Sequence, residues 1–179
     1  MIFCSIHIKE GMSERTFNFS EGVNLVFSKG NSKGKTTLLR FMLYSLGYNI
    51  PSTRKIRFDH CEVTAQIYCD GTGNMTLSRF NNAFIEVMTN GEKKTYILPD
   101  QLHELHGIIF RTENQNILDN ILGAIYADQE KGWTLLNRGT AIGSIRFNIE
   151  ELIRGLSGCD CSDLIRSEKQ LGRELSKYR

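Results

Sequence analysis

The sequence predicts an α/β fold, and three observations carry the prediction. An apolar run, Val23-Asn24-Leu25-Val26-Phe27, leads into Lys29-Gly30-Asn31-Ser32-Lys33-Gly34-Lys35-Thr36-Thr37. Behind it, Leu38-Leu39-Arg40-Phe41-Met42-Leu43 has the spacing of a helix. Alternating apolar and polar residues then return between Cys61 and Leu98, which is the period of half-buried strands.

Taken in order, residues 2–8 alternate, with Ile2, Cys4, Ile6 and Ile8 opposed to Phe3, Ser5 and His7. His7 reads as a strand residue, with no neighbour to make it a base. Residues 15–19 put Phe17 and Phe19 on one face, and Glu21-Gly22 turns into a strand at 23–28. In the following helix Leu39, Leu43 and Leu46 share a face, Leu38 and Met42 widen it, and Gly47 ends it. A loop occupies 49–53. Cys61, Val63, Ala65 and Ile67 then form the inward side of a strand. Turns at Asp70–Asn74, Asn81-Asn82 and Asn90-Gly91 separate strands at 75–80, 83–88 and 95–98, an antiparallel meander. Helices follow from Pro99. One or two turns are expected at 100–105, and a helix capped by Thr112 runs through 117–125 with Ile117, Ile121 and Ile125 as its stripe beside Leu118 and Leu122. A third, at 149–156, carries Ile149, Leu152, Ile153 and Leu156 and stops at Gly158. Ser162 opens a last helix, in which Leu164, Leu171 and Tyr178 fall seven apart with Glu168 and Leu175 between. The pattern fits the start of a coiled coil or a plain amphipathic helix. The expected organisation is a lobe at 1–160 and a coil-forming helix at 161–179.

Strand, glycine-containing loop, Gly34-Lys35-Thr36 and helix together make a phosphate-binding loop of the P-loop NTPase type. Main-chain N–H groups of the loop and helix start point at phosphate oxygens, and the helix end adds roughly half a positive charge. Lys35 is expected to reach the β- and γ-phosphates, and the Thr36 hydroxyl to complete a Mg²⁺ shell. The strict pattern places glycine where this chain has Lys29, with Gly30 one position later. A lysine forced into a left-handed conformation costs about 1–2 kcal/mol, so the start of the loop is expected to differ from the common form.

Composition excludes several classes. The chain has 179 residues, 40% hydrophobic and 23% charged, enough for one domain with a real core. No apolar stretch is long enough for a membrane span, and the N-terminus lacks the marks of a secretory signal. Five cysteines, an odd number, fit reduced thiols in the cytoplasm. Cys159-Asp160-Cys161 lacks the second pair or histidine that a zinc site needs. Net charge is +2, too mild to diagnose nucleic-acid binding, although Arg166, Lys169, Arg173, Lys177 and Arg179 concentrate positive charge at the C-terminal end.

A second motif, Ala124-Ile125-Tyr126-Ala127-Asp128-Gln129, follows the 117–125 helix. Early antiparallel strands, phosphate loop, inserted meander, and a helix leading to an apolar segment ending in Gln resemble the N-terminal half of SMC-type ABC ATPase heads. That group includes SMC proteins, RecN, RecF and the ATPase of the double-strand-break repair nuclease complex. The family loop reads Gly-Pro-Asn-Gly-x-Gly-Lys-Ser/Thr. This chain matches it at Asn31, Gly34, Lys35 and Thr36 and departs at Lys29, Gly30 and Ser32. Residues 126–139, Tyr-Ala-Asp-Gln-Glu-Lys-Gly-Trp-Thr-Leu-Leu-Asn-Arg-Gly, also look like the SMC-like ATPases of Lamassu-type anti-phage defence.

The resemblance implies ATP and Mg²⁺ as cofactors. ATP would be held by Gly30, Asn31, Ser32, Lys33, Gly34, Lys35, Thr36 and Thr37. Lys35 and Gln129 would be the catalytic residues, and Thr36 and Gln129 the metal-facing ones. The implied partners are the C-terminal lobe of the same head, a second head in a homodimer, double-stranded DNA, and a nuclease or effector subunit, with no membrane. That other lobe carries the signature motif and the acidic Walker B pair. Leu156-Ser157-Gly158 echoes the signature, but no apolar strand ending in Asp-Glu follows it, and Ile125–Asp128 does not supply that strand because Glu130 is one residue too far. Three other readings stand beside this one. They are a self-contained small-molecule kinase using Arg54, Lys55 and Arg57, a transporter nucleotide-binding domain, and a non-hydrolysing scaffold.

Overall fold

Six antiparallel strands in the order β2-β1-β3-β4-β5-β6 form the body of the protein. The computed structural model describes residues 1–179 except 31–32, 53–55, 129–131, 134–138, 159–163, 165–166, 169–170, 172–173 and 176–179. β1 (Ile2–Glu10) pairs with β2 (Ser13–Asn18) on one side and β3 (Cys61–Cys69) on the other. β4 (Gly73–Arg79), β5 (Phe84–Thr89) and β6 (Glu92–Ile97) continue as the expected meander. The turn between β5 and β6 has both Asn90 and Gly91 at positive φ, which the twist of a tight hairpin requires. In β3 Cys61, Val63, Ala65, Ile67 and Cys69 are buried while Glu62, Gln66 and Tyr68 are exposed, so the alternation translates directly into a core face. Burial in that core pushes the Cys61 thiol up to about 11.

Two expectations in the first 30 residues fail. The alternation of β1 breaks at a bulge between Phe3 and Ser5. Phe3 therefore sits opposite the inward Ile67 and meets Phe19 edge-on at 6.4 Å, whereas Ile2 is left exposed. The second failure is larger. Residues 23–28 form no strand. An extended segment cannot satisfy its own main-chain groups, and no described strand lies beside this one. Val23, Leu25 and Phe27 are 98%, 82% and 78% exposed, so this apolar run contributes nothing to the core.

α1 (Lys35–Ser45) lies on β3 and β4 and buries Leu38, Phe41 and Tyr44, with Leu46 just beyond its end, against the inward residues of the sheet. Leu39 is exposed, so the buried face is rotated from the one the leucine spacing suggests. α2 (Leu102–Phe110) is longer than the expected turn or two and ends at Arg111, whose φ of 55° is left-handed. α3 (Gln115–Ile125) is capped by Asn114, whose Oδ1 accepts from the Ile117 N–H, rather than by Thr112. Thr112 instead accepts from the Asn114 N–H. The buried stripe of α3 is Leu118 and Leu122, while Ile125 is exposed.

A short hairpin, β7 (Ala127–Asp128) with β8 (Gly132–Trp133), follows, then a second, β9 (Gly139–Ile142) with β10 (Ile145–Phe147). β10 packs on α3 so closely that a Cβ on Gly123 would lie 2.3 Å from the Arg146 carbonyl oxygen. α4 (Ile149–Leu156), capped by Asn148, packs on α3 through Gly155, while Ile153 and Leu156 face solvent. Beyond it Leu164, Leu171 and Leu175 are helical and exposed. The expected boundary at 160–161 lies outside the described residues. Among the described residues no helix is long and apolar enough to cross a membrane.

Candidate functional site

α1 begins at Lys35 because Gly34 turns the chain. Gly34 has φ 86°, a left-handed conformation, and a Cβ there would meet nothing within 4 Å. The demand on this position is conformational, not spatial. Among the described residues no side chain caps the helix, so the N–H groups of its first turn, which have no intrahelical acceptor, are left for an external one. Lys29 is not strained, since positive φ among the described non-glycine residues is confined to Asn90 and Arg111.

The Lys35 ammonium folds back over the loop. Its Nζ donates to Ser28 Oγ at 2.8 Å and to the Gly30 carbonyl at 3.3 Å, and Ser28 Oγ donates to the same carbonyl at 2.6 Å. Ser28 and Lys35 thus bridge the two ends of the loop. Lys33, Gly34, Lys35 and Thr37 line a cavity of about 850 Å³. Its other wall is mixed, with Ile8, Phe17, Phe27, Phe41 and Ile56 beside Glu10, Glu14 and Arg15, and Arg15 stands 6.0 Å from the centre of the Phe17 ring. Two lysines and a helix N-terminus on one side, and aromatic rings on the other, suit an anionic ligand that also carries a flat apolar part. A second cavity of about 800 Å³, between α3, the β9–β10 hairpin and α4, is lined by Asp119, Glu150 and Glu151. Three carboxylates facing one Arg146 make it unsuited to polyphosphate.

The structure therefore brings Gly30, Lys33, Gly34, Lys35 and Thr37 to one cavity or its rim, with Thr36 exposed on the first turn of α1. Asn31, Ser32 and Gln129 lie outside the described residues, as do Arg54 and Lys55. Arg57 hydrogen-bonds Asp59 at 2.8 Å. α3 is helical as far as Ile125 and β7 has only two residues, so no long apolar strand of the Walker B kind leads to Asp128. Groups of three or more His, Cys, Asp or Glu able to hold a metal are absent among the described residues.

Sequence reading missed Ser28 and Arg79. Ser28 carried no signal beyond being the polar residue that closes an apolar run. Arg79 did carry one, because Met75, Leu77 and Arg79 follow at intervals of two, which points the arginine at the core.

The far end of α1 is held by three contacts. Arg79 from β4 donates to the Tyr44 and Tyr48 carbonyls. His106 from α2 donates through Nε2 to the Leu46 carbonyl at 2.9 Å, which fixes its neutral tautomer, and Nδ1 accepts from the Tyr48 hydroxyl at 3.4 Å. Burial lowers the His106 pKa to about 4 and raises that of Tyr48. Finally, Asn49 and Ser144 exchange two hydrogen bonds, Ser144 N–H to the Asn49 carbonyl at 2.9 Å and Asn49 N–H to Ser144 Oγ at 3.0 Å. This last pair ties α1 to the hairpin that follows the Gln129 segment.

No family model matches the chain. It is 29% identical over 130 residues to the Lamassu protein LmuB of Bacillus sp. (strain NCIM 5461 / CCTCC AB 2011126 / NIO-1130), an alignment covering 66% of this chain and 22% of that protein. It is 28% identical over 133 residues to the Lamassu protein LmuB of Bacillus cereus (strain VD014), covering 67% and 23%. The chain spans less than a quarter of the length of the curated relatives it matches, and its similarity is to the Lamassu protein LmuB.

Proposed function

We propose that this chain is the N-terminal lobe of an SMC-like ATPase head of Lamassu type, with a P-loop NTPase fold, binding ATP and Mg²⁺ at residues 30–37 and serving anti-phage defence. The observation that carries this reading is the uncapped start of α1 beneath left-handed Gly34, with the Lys35 ammonium folded over the loop. The similarity to Lamassu protein LmuB supports the class.

In this reading the amides of Gly34 to Thr37 bind the phosphates, and Lys35 leaves Ser28 and Gly30 for the β- and γ-oxygens. The rings of Phe17 and Phe27 cover the nucleoside. Thr36 and Gln129 are the residues that would hold Mg²⁺, and Thr36 at the first turn of α1 fits that role. The ion, when bound, neutralises charge on the β- and γ-phosphates. Gln129 is the residue next after β7 in the sequence.

Residues 23–28 support the C-terminal lobe as a partner. Their exposed apolar side chains, and a main chain that pairs with no described strand, suit strand addition by another segment. The exposed Leu164, Leu171 and Leu175 support a helical partner for the last helix, as in a coiled coil. A second head, double-stranded DNA and a nuclease or effector subunit complete the proposed assembly.

ATP would hold two heads together, so the test is pairing. Light scattering of the complete protein should show an ATP-dependent increase in mass that Lys35→Ala abolishes. The 179 residues alone should turn ATP over negligibly. Steady multiple turnover by this chain, or normal ATP-dependent pairing of the variant, would refute the reading.

A further inference from the structure

Arg79 is 1% exposed, among the largest fully buried side chains, and the ion pairs of the described residues do not include it. Its partners are carbonyl oxygens. Nη1 donates to Tyr44 O at 2.6 Å and Tyr48 O at 2.8 Å, Nε to Asn81 O at 3.0 Å, and Nη2 to Asn82 Oδ1 at 3.4 Å. The guanidinium also lies 3.8 Å from the centre of the Tyr44 ring. Burial pulls its pKa down to about 10, so the group stays charged at neutral pH. A buried cation persists only where strong acceptors surround it. Here they include the carbonyl end of α1, where the helix dipole places negative charge.

We infer that Arg79 is the positioning residue of the phosphate loop, fixing the axial position of α1 from the end opposite the loop. α1 has 11 residues, so it is a rod of roughly 16 Å. The other two anchors of this end, His106 and Ser144, bond residues beyond the helix. Arg79 bonds Tyr44 in its last turn, and it does so from β4, an interior strand of the sheet. The planar fork of a guanidinium fixes both direction and distance, which a lysine ammonium does not. Any shift at Tyr44 travels along the rod to the first-turn amides, and with them to the geometry that phosphate requires.

The consequence for nucleotide affinity rests on the proposed function, but the consequence for the loop does not. Amide NMR signals of Gly34, Lys35 and Thr36 are recorded without nucleotide in the wild type, in Arg79→Lys and in Leu118→Ala. Leu118 is a buried residue of α3 outside the main core cluster, on a helix that packs chiefly against α4, β10 and α2, so its substitution is expected to lower stability away from α1. Arg79→Lys is expected to move the loop signals and to weaken Mg–ATP binding about tenfold, the effect of roughly 1.4 kcal/mol. Leu118→Ala should lower the melting temperature and leave both readouts in place. Asn82→Ala, which removes an acceptor at the exposed end of the fork, should move the same signals less, and it serves if Arg79→Lys does not fold. A lower melting temperature with unmoved loop signals would make Arg79 a stabilising residue only and overturn the inference. Absence of Mg–ATP binding in the wild type would sink the proposed function, while the loop signals still decide the role of Arg79.

Discussion

At its N-terminal end α1 meets solvent. Lys33, Gly34 and Thr36 are exposed, no side chain among the described residues caps the helix, and Lys35 is engaged by a hydroxyl and a carbonyl of the loop itself. At its C-terminal end Tyr44, Ser45, Leu46 and Tyr48 are buried, and three separate elements hydrogen-bond to residues 44–49. One helix thus joins an open end to an anchored one. The difference teaches where rigidity is needed. A site proposed to accept an anion leaves donors open, and the scaffold behind it fixes where those donors stand.

The largest expected effect comes from breaking the anchored end. Gly143 has φ 56°, and a Cβ there would lie 1.9 Å from the Asn49 carbonyl oxygen. Gly143→Ala should therefore push the β9–β10 hairpin off Asn49 and cost about 3–4 kcal/mol of unfolding free energy, from strain and overpacking together. Urea denaturation measures this, and a loss below about 1 kcal/mol would show that the clamp carries little.

Acid should weaken the same end. His106 is neutral in the fold, with a pKa near 4 against an ordinary 6.5. As pH falls below 6.5 the unfolded chain takes up a proton that the folded chain refuses. Stability therefore drops between pH 6.5 and 4 and levels off below that. The full difference is about 3 kcal/mol, at 1.36 kcal/mol for each pH unit. The urea midpoint of His106→Phe should fall less steeply over this window than that of the wild type, and equal slopes would contradict the assignment.

At the open end the effects on stability should be small and those on the ligand large. Gly34→Ala places a side chain at φ 86° with free space around it. Its cost is backbone strain of about 1–2 kcal/mol, which a relaxing loop can partly escape by giving up its shape. Calorimetry should show a melting temperature lowered only slightly and Mg–ATP affinity lowered about tenfold or more. An unchanged affinity would mean that the left-handed turn is incidental.

How much of this was legible in the sequence follows the same division. β3 to β5 could be read because each strand has one buried face, and alternation records that face directly. The hairpin at Asn90-Gly91 was legible from chemistry alone. The strand expected at 23–28 was misread for a reason periodicity cannot contain, namely that a strand exists only beside another. The bulge at Cys4 was hidden likewise, since one extra residue leaves the composition unchanged while exchanging the faces of Ile2 and Phe3. In α3 the isoleucine spacing was real, but packing against β10 selected Leu118 and Leu122 instead. Of the candidate site, the Gly34-Lys35-Thr36 core was visible in the residues. Ser28 and the anchoring of α1 depend on contacts between distant segments, which only the fold brings together.

The most direct test of the phosphate loop is a titration of Mg–ATP against wild type and Lys35→Ala, followed by calorimetry. The account predicts saturable one-site binding by the wild type. It predicts no measurable binding by the variant, whose stability stays within about 0.5 kcal/mol of the parent. Equal binding by the two chains, or none by the wild type at millimolar nucleotide, would contradict it.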